Sequence, residues 1–461
     1  MIKNIRNKVI YLPVQIKKRA FIAKLLLGYL SLQYGYSFVI GKRYSVKKIA
    51  LNGPDGIYLE KDFFGKKSEY FERFRSRKMK FYGLDDEGLV FHDDNEYINR
   101  RVDYDSLKYM EKIFAWGDRQ ANILKNFLKN KNEGKKVIIA GNPRIDILRG
   151  IGKSIYKKEV EYIKSKYNNF ILFNSFFALA NGIKPFDLQV KRLKKMKKNI
   201  SEEIIGYWIN FYEYQKKLFD LIKDALLNLA EDSSLTLVIR PHPNEKESTW
   251  KKLFKGYKNV TVTKAYDIFP WIYCADVTIH NSCTTGIEAY LLGKYVIAYK
   301  PIISEEFDLE LPNALSVNIT DIHTLKKTIY NMLNGSYNED KKDIENKKNI
   351  INYNLYSGDN LSSEIILEEF HNNPVYDDIK TFKKNYLDLT VNILLKTLAY
   401  VNKVGNLPIK NPHLINDFPP TGKDEVLFYL DRLNEHFQYN FKFSVAPLAA
   451  SCFLVRKIKS T

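Results

Sequence analysis

Short runs of aliphatic and β-branched residues alternate along this chain with stretches whose apolar residues recur at helical spacing. This alternation constrains the fold more than any other feature. The first set of runs lies at residues 9–14, 37–41, 113–117 and 137–141, and a second at 170–174, 237–240, 260–262, 277–280 and 295–299. Between the first two runs, Ile22, Leu25, Leu26, Tyr29 and Leu30 follow the i, i+3, i+4, i+7 pattern of one buried helix face. Helices are likewise expected at 104–112 and 119–128, in a charged stretch at 66–78, and at 202–230, 247–254, 267–274, 284–292 and within 320–372. Residues 49–52 read as a further strand. Strands alternating with helices imply βαβ units, parallel sheets and right-handed crossovers. The polar stretch 150–168 interrupts the alternation and reads as a linker. The expected organisation is therefore an α/β domain over 1–150, a second over 165–375, and a C-terminal extension over 376–461. That extension combines an apolar helix at 386–400, an irregular run at 404–420 and an apolar end at 443–454.

Length and charge narrow the class. A chain of 461 residues exceeds one ordinary core. Its formal net charge is +20, and residues 1–80 hold 19 Lys/Arg against 5 Asp/Glu, so 19 − 5 = +14 resides there. Such an excess favours anionic partners such as phosphorylated donors, acidic lipid or nucleic acid. The same excess also fits the Lys-, Asn- and Tyr-rich usage of an AT-rich genome. Three cysteines show neither metal spacing nor an even disulfide framework, which points to a reducing compartment. No apolar run approaches the ~20 residues that span a bilayer, and residues 2–6 do not open a secretory signal. A cytoplasmic protein is expected, with charge-driven peripheral association at the anionic inner membrane face.

Four constellations carry chemistry. Leu237-Val238-Ile239-Arg240-Pro241-His242-Pro243-Asn244-Glu245 reads as a buried strand that stops in a stiff basic turn, because both prolines lack a ladder donor. Arg240 and His242 then stand at a strand's carboxyl end, where open α/β sheets bind ligands. The plainer reading is a turn whose His caps a neighbouring helix. His280 to Ala289 supplies Ser282, Thr284, Thr285, Gly286 and Glu288 between a strand and a helix. Hydroxyls there cap the helix or, with its first N–H groups, hold a phosphate; Gly286 would let the ligand approach, and Glu288 could take ribose hydroxyls. Asp85-Asp86-Glu87-Gly88 clusters acids whose repulsion should raise at least one pKa. One of them could act as a general base or as a nucleophile; otherwise the run is a solvated acidic turn. A metal role needs more oxygen ligands than the run itself holds, with Asp93 and Asp94 near in sequence. Last, Asn142 and Arg144 in the turn 141–146 could reach a ligand, Asn174 opens the second half in an analogous way, and Lys17 and Arg19 could hold an anionic acceptor.

Two nucleotide-fold halves joined by a linker resemble the plan of GT-B glycosyltransferases and sugar-nucleotide 2-epimerases, in which two Rossmann-like domains face a central cleft. Asp86-Glu87-Gly88, His242-Pro243 and Ser282/Thr284/Thr285 resemble the motifs of bacterial transferases that use CMP-activated ulosonic acids. A closer resemblance is to the bacterial surface carbohydrate biosynthesis proteins, relatives of the capsule Kdo transferases. Leu12-Pro13-Val14-Gln15-Ile16-Lys17-Lys18-Arg19, Ala115-Trp116-Gly117, Gly141-Asn142-Pro143-Arg144-Ile145-Asp146 and Arg240-Pro241-His242-Pro243 carry it over about residues 8–300. Two departures stand out. Gln15 replaces the family's Glu, and the acidic run is one residue longer, so the reacting acid is Asp85, Asp86 or Glu87.

The resemblance implies Asp86 as the catalytic carboxylate, His242 on the CMP phosphate and the Ser/Thr loop on phosphate oxygens. The expected protein is a metal- and cofactor-independent glycosyltransferase. It would move a Kdo- or sialic-acid-like sugar from a CMP donor to a surface polysaccharide or lipid-linked glycan, with no nucleic acid as partner. Arg-Pro-His-Pro is also shared with polymerases that use CDP-glycerol, so a glycerophosphotransferase or a 2-epimerase is the rival enzyme. A basic nucleic-acid-binding protein is the rival from another class.

Overall fold

The computed structural model describes residues 8–65, 67–74, 77–196, 202–376 and 418–458. The helix expected at 386–400 and the irregular run at 404–417 lie outside the described residues. The chain forms two compact units: Met1–Ile155 together with Asn352–Thr461, and Tyr156–Ile351.

The first unit is built on an eight-stranded sheet of order β13-β14-β2-β1-β3-β4-β5-β6. Its parallel part comprises β1 (Lys8–Val14), β2 (Tyr36–Lys42), β3 (Ile57–Glu60), β4 (Lys80–Leu84), β5 (Met110–Ala115) and β6 (Val137–Ile139). Central strand β1 is buried from Val9 onward, as its unbroken apolar run requires when helices cover both faces. Residues 49–52, read as a strand, instead end the helix Arg43–Asn52. Val46, Ile49 and Ala50 share one buried face at i, i+3, i+4, and the vacant sheet position is taken by β3. The helix read at 104–112 stops at Leu107, and β5 begins at Met110. There Met110 and Ile113 are buried while Glu111 is exposed.

The C-terminal end is less irregular than expected. β13 (Lys442–Ala449) and β14 (Cys452–Ile458) form a hairpin, and β14 runs antiparallel to β2. The hairpin covers an edge that β2 would otherwise leave unpaired. Gly41 makes this approach feasible, since a Cβ there would lie 2.1 Å from the Ser451 carbonyl oxygen. Residues 352–376 also belong to this unit rather than to the second half. Buried Asp146 accepts from Ser362 N at 2.8 Å, Ser363 N at 2.9 Å and Ser363 Oγ at 2.7 Å, capping the helix Ser362–Asn372 from 216 residues away.

The second unit carries a six-stranded sheet of order β12-β11-β10-β7-β8-β9, parallel throughout. Its strands are β7 (Ile171–Asn174), β8 (Leu237–Arg240), β9 (Val260–Val262), β10 (Val277–His280), β11 (Tyr295–Tyr299) and β12 (Val317–Ile319). Alternate residues serve opposite faces. Ile171, Phe173, Leu237 and Ile239 pack in one core, and Leu172 and Val238 in another. The stretch 150–168, read as a linker, is helical over Gly152–Ile155 and Lys157–Lys166, and the unit boundary falls between those helices. Register aligns Arg240, Asn174 and His280 at the carboxyl ends of three adjacent strands.

Removing the tertiary cap should loosen the first unit. Asp146→Ala leaves buried N–H donors without an acceptor and should cost about 1–3 kcal/mol, read as a lowered urea midpoint.

Candidate functional site

In the first unit, strand β4 ends at Leu84 and the chain turns through the acidic run. The three acids have different fates. Asp85 is fully buried and grips Arg101 through two bonds, Nε to Oδ2 at 2.8 Å and Nη2 to Oδ1 at 2.5 Å. It also accepts from Tyr97 Oη at 3.3 Å and from Glu87 N at 3.1 Å. Its acceptor sites are thus engaged inside the protein.

The Ala-Trp-Gly motif fixes this turn from below. Trp116 donates its indole N–H to the Asp85 carbonyl oxygen at 2.7 Å. Its own backbone N–H is received by Gln120 Oε1 at 2.8 Å, and Gln120 Nε2 donates to Tyr97 Oη at 2.6 Å. Gly117 leaves room for the backbone of Asn354, which a Cβ would approach to 2.4 Å. Gly88 has a comparable cause, since a Cβ there would meet the anchored Gln120 Nε2 at 2.1 Å.

Asp86 and Glu87 point elsewhere. Asp86 lines a pocket with Arg19, Lys24, Lys61, Glu87, Asn142 and Arg144, floored by apolar residues such as Ala20, Leu59 and Leu84. Its Oδ2 lies 3.3 Å from the Nζ of Lys24, a lysine only 2% exposed. Burial pushes the Asp86 carboxyl above its ordinary value, against the opposing pull of Lys24 and Lys61. Burial also pushes Glu87 upward, but Arg19 at 3.0 Å and Arg101 at 3.1 Å outweigh it and hold the group below the usual range.

The cations expected to receive an acceptor divide. Arg19 and Arg144 line the pocket. Lys17 does not; its ammonium pairs with Glu425 at 2.6 Å and ties down the helix Lys423–Phe437. Asn142 lines the pocket while its side chain caps the helix Pro143–Asp146 by accepting from Arg144 N at 2.9 Å. Gln15 is exposed and meets Arg43 at 3.4 Å. Asp93 and Asp94 turn away to helix roles, Asp93 accepting from Glu96 N and Asp94 lying 3.6 Å from Arg119. Among the described residues no group of His, Cys, Asp and Glu is disposed to hold a metal ion, and no helix is long and apolar enough to cross a membrane.

In the second unit the Arg-Pro-His-Pro loop is organised by a residue that sequence reading passed over. Glu245 is fully buried and accepts from Ser175 Oγ at 2.7 Å, Phe177 N at 2.8 Å, Trp250 Nε1 at 3.0 Å, His242 N at 3.2 Å and Asn181 Nδ2 at 3.3 Å. Arg240 is turned to a structural task. Its terminal nitrogens donate to the carbonyls of Ala265 at 2.5 Å and Tyr266 at 3.1 Å, and its guanidinium lies over Trp271. Burial lowers its pKa to about 10. His242 stacks edge-on against Phe176 and accepts from Asn244 N at Nδ1, 3.2 Å away, so the neutral ring carries its proton on Nε2. Pro243 is exposed beside it, and its carbonyl accepts from Lys264 at 3.1 Å.

The Ser/Thr loop also differs from expectation. Ser282 has φ +61° and its Oγ accepts from Leu309 N at 2.6 Å and Asn313 Nδ2 at 3.1 Å, so it braces the loop from inside. Thr284 precedes the helix Thr285–Leu291 without a side-chain cap bond. Gly286 makes room for the His280 ring rather than for a ligand, because a Cβ would lie 2.4 Å from its Nε2. His280 is itself structural. Its Nδ1 accepts from Cys283 N at 3.1 Å, so Nε2 donates to Ser316 Oγ at 2.8 Å, and burial depresses its pKa to about 3. Asn174 and Thr285 are among the buried polar side chains left unmatched in the described residues. Asn174 buries both amide atoms without a partner at the carboxyl end of β7, and Thr285 buries its hydroxyl. Glu288 lies one turn into the helix, buried.

Lys24, Lys61, Arg101 and Glu245 are thus the residues that sequence reasoning missed. Lys24 alone leaves a trace, as a lysine inside the apolar run from Phe21 to Leu27.

No family model matches the chain, and no curated protein matches it. Solved structures do. The Staphylococcus aureus MnaA–UDP complex is 15% identical with a TM-score of 0.48, over 80% of this chain and 97% of that one. UDP-GlcNAc 2-epimerase from Neisseria meningitidis bound to UDP-GlcNAc is 17% identical with a TM-score of 0.47, over 79% and 100%. The wall teichoic acid polymerase TagF is 11% identical with a TM-score of 0.46, over 79% and 89%. At such identities and TM-scores the likeness carries no conclusion about the chemistry of this chain.

Two substitutions probe the two loops. Arg101→Leu strands the buried Asp85 carboxylate and should cost about 3–5 kcal/mol, measured by urea unfolding of the full chain. Glu245→Ala should release the 242–245 turn. Its backbone amides, followed by hydrogen exchange, should lose protection while those of the acidic turn at 85–88 keep theirs.

Proposed function

We propose that the protein is a glycosyltransferase that uses a nucleotide-activated acidic sugar, with Asp86 as the reacting carboxylate and CMP as the nucleotide. The observation that carries this reading is the position of Asp86. Of the three acids in the run it is the one without a guanidinium partner among the described ion pairs, it stands in a pocket, and its pKa is raised. A carboxyl so placed suits removal of a proton from an acceptor hydroxyl, or attack at an anomeric carbon. Arg19 and Arg144 around it suit a substrate that carries its own negative charge.

The second unit would bind the donor. His242, on a loop stiffened by Pro241, Pro243 and Glu245, would donate to the phosphate. The unmatched amide of Asn174 and hydroxyl of Thr285 call for a polar ligand, since buried polar atoms are rarely left alone. Arg240 and Ser282 support this surface instead of touching the phosphate. The surface carbohydrate family resembled by the motifs would supply the donor class, a Kdo- or sialic-acid-like sugar, and a glycan or glycolipid acceptor.

Calorimetry with CMP, CDP-glycerol, UDP and RNA tests the reading. CMP should bind, and His242→Ala should weaken it by about tenfold or more. Preferred binding of CDP-glycerol would reassign the enzyme as a glycerophosphotransferase. RNA binding with a steep salt dependence and no nucleotide binding would overturn an enzyme of this class. In a transfer assay Asp86→Ala should lower kcat by about a hundredfold or more.

A further inference from the structure

Lys24 is a cation buried within an apolar stretch of helix. It lies in the helix Lys17–Ser31 among Phe21, Ala23, Leu25 and Leu27, all buried, and is itself 2% exposed. Its ammonium donates to the Pro13 carbonyl oxygen at 3.0 Å and lies 3.3 Å from Asp86 Oδ2. Among the described residues Asp86 is the carboxylate within ion-pair distance. Burying an ammonium costs several kcal/mol, and a buried ion pair seldom improves on an apolar pair of equal volume. Packing therefore does not account for a lysine here. The carboxylate is the more open partner, its side chain 18% exposed against 3% for Lys24, and it faces the pocket.

We infer that Lys24 is a positioning residue for Asp86: from behind the pocket wall it orients the carboxylate and keeps it ionised for the reacting step. This rests on the reading of Asp86 as the reacting carboxylate. Burial shifts both partners toward their neutral forms, Asp86 upward and Lys24 downward, so each keeps its charge through the other. The remaining charged groups around Asp86 are Lys61 and Glu60 at the end of β3, Arg43, which pairs with Glu60 and Asp62 at 3.4 Å, Asp85 within the turn, and Arg19, Glu87 and Arg144 at the pocket. Lys61 is held 2.6 Å from Asp62, Asp85 by Arg101, and Glu87 by Arg19 and Arg101. Lys24 is the cation placed to answer Asp86 directly.

The sign follows from electrostatics. Removing a positive charge beside a carboxylate disfavours its ionised form and raises its pKa. Carbon-detected NMR of the full chain, with the Asp86 signal assigned through Asp86→Asn, should show its titration midpoint rise by about one pH unit or more in Lys24→Met. Lys24→Arg should restore most of it. Linkage makes the effect reciprocal, so Asp86→Asn should lower the Lys24 ammonium pKa, a measurement that does not depend on how Lys24→Met folds. In turnover, the acid limb of the kcat/KM profile should move upward in Lys24→Met while KM for the donor stays constant. An unmoved Asp86 midpoint in Lys24→Met, or an unmoved Lys24 pKa in Asp86→Asn, would overturn the pairing. Absence of transfer by the wild-type chain with every donor would instead overturn the proposed function, and the two titrations would still decide the pair.

Discussion

The acidic turn of the first unit depends on the bond between Asp85 and Arg101. A carboxylate with no solvent exposure loses several kcal/mol of hydration. Only a partner that fills its lone pairs with good geometry can offset that loss. The guanidinium fork does so with two parallel bonds, and Tyr97 and the Glu87 amide take further sites. With the first acid fixed inward, the next two residues must leave the strand in another direction. Asp86 and Glu87 accordingly reach the pocket. The buried acid is the anchor, and the two pocket carboxylates are set beside it.

A second buried acid organises the other unit by different means. Among the described residues Glu245 has no guanidinium ion pair and is met by hydroxyl, amide and indole donors from several segments. Its partners include the amide of His242, so the imidazole's position follows from the carboxylate's. Two prolines restrict the backbone between them, which lets few donors hold the loop. In both units a half-buried polar group owes its placement to a neighbouring carboxylate that solvent cannot reach.

The roles read from motifs survive unevenly, and each outcome has a local cause. The Ala-Trp-Gly and Gly-Asn-Pro-Arg-Ile-Asp segments are structural fasteners: Trp116 holds the acidic turn, and Asp146 caps a helix far along the chain. Gly286 and Gly88 are small because His280 and Gln120 occupy the space a side chain would need. A motif marks that a position is constrained. Whether a ligand or the protein's own interior applies the constraint depends on which side chain arrives there from elsewhere. Four of the basic residues near the start of the chain are engaged in the same way, Arg43, Lys61 and Lys67 around Glu60 and Asp62, and Arg77 on Asp55.

Local pattern determined the strand–helix alternation, the parallel sheets and the end of β8, because periodicity and proline act over a few residues. It also drew attention to Asp86 and His242, as an acid next to acids and a histidine between prolines. Only the tertiary structure decided which acid is locked away, that Arg240 and Ser282 face inward, that a C-terminal hairpin completes the first sheet, and that Lys24 stands behind Asp86. Those outcomes come from contacts between residues tens to hundreds of positions apart. Burial and ion pairing are properties of such meetings, and no short stretch of sequence contains both partners.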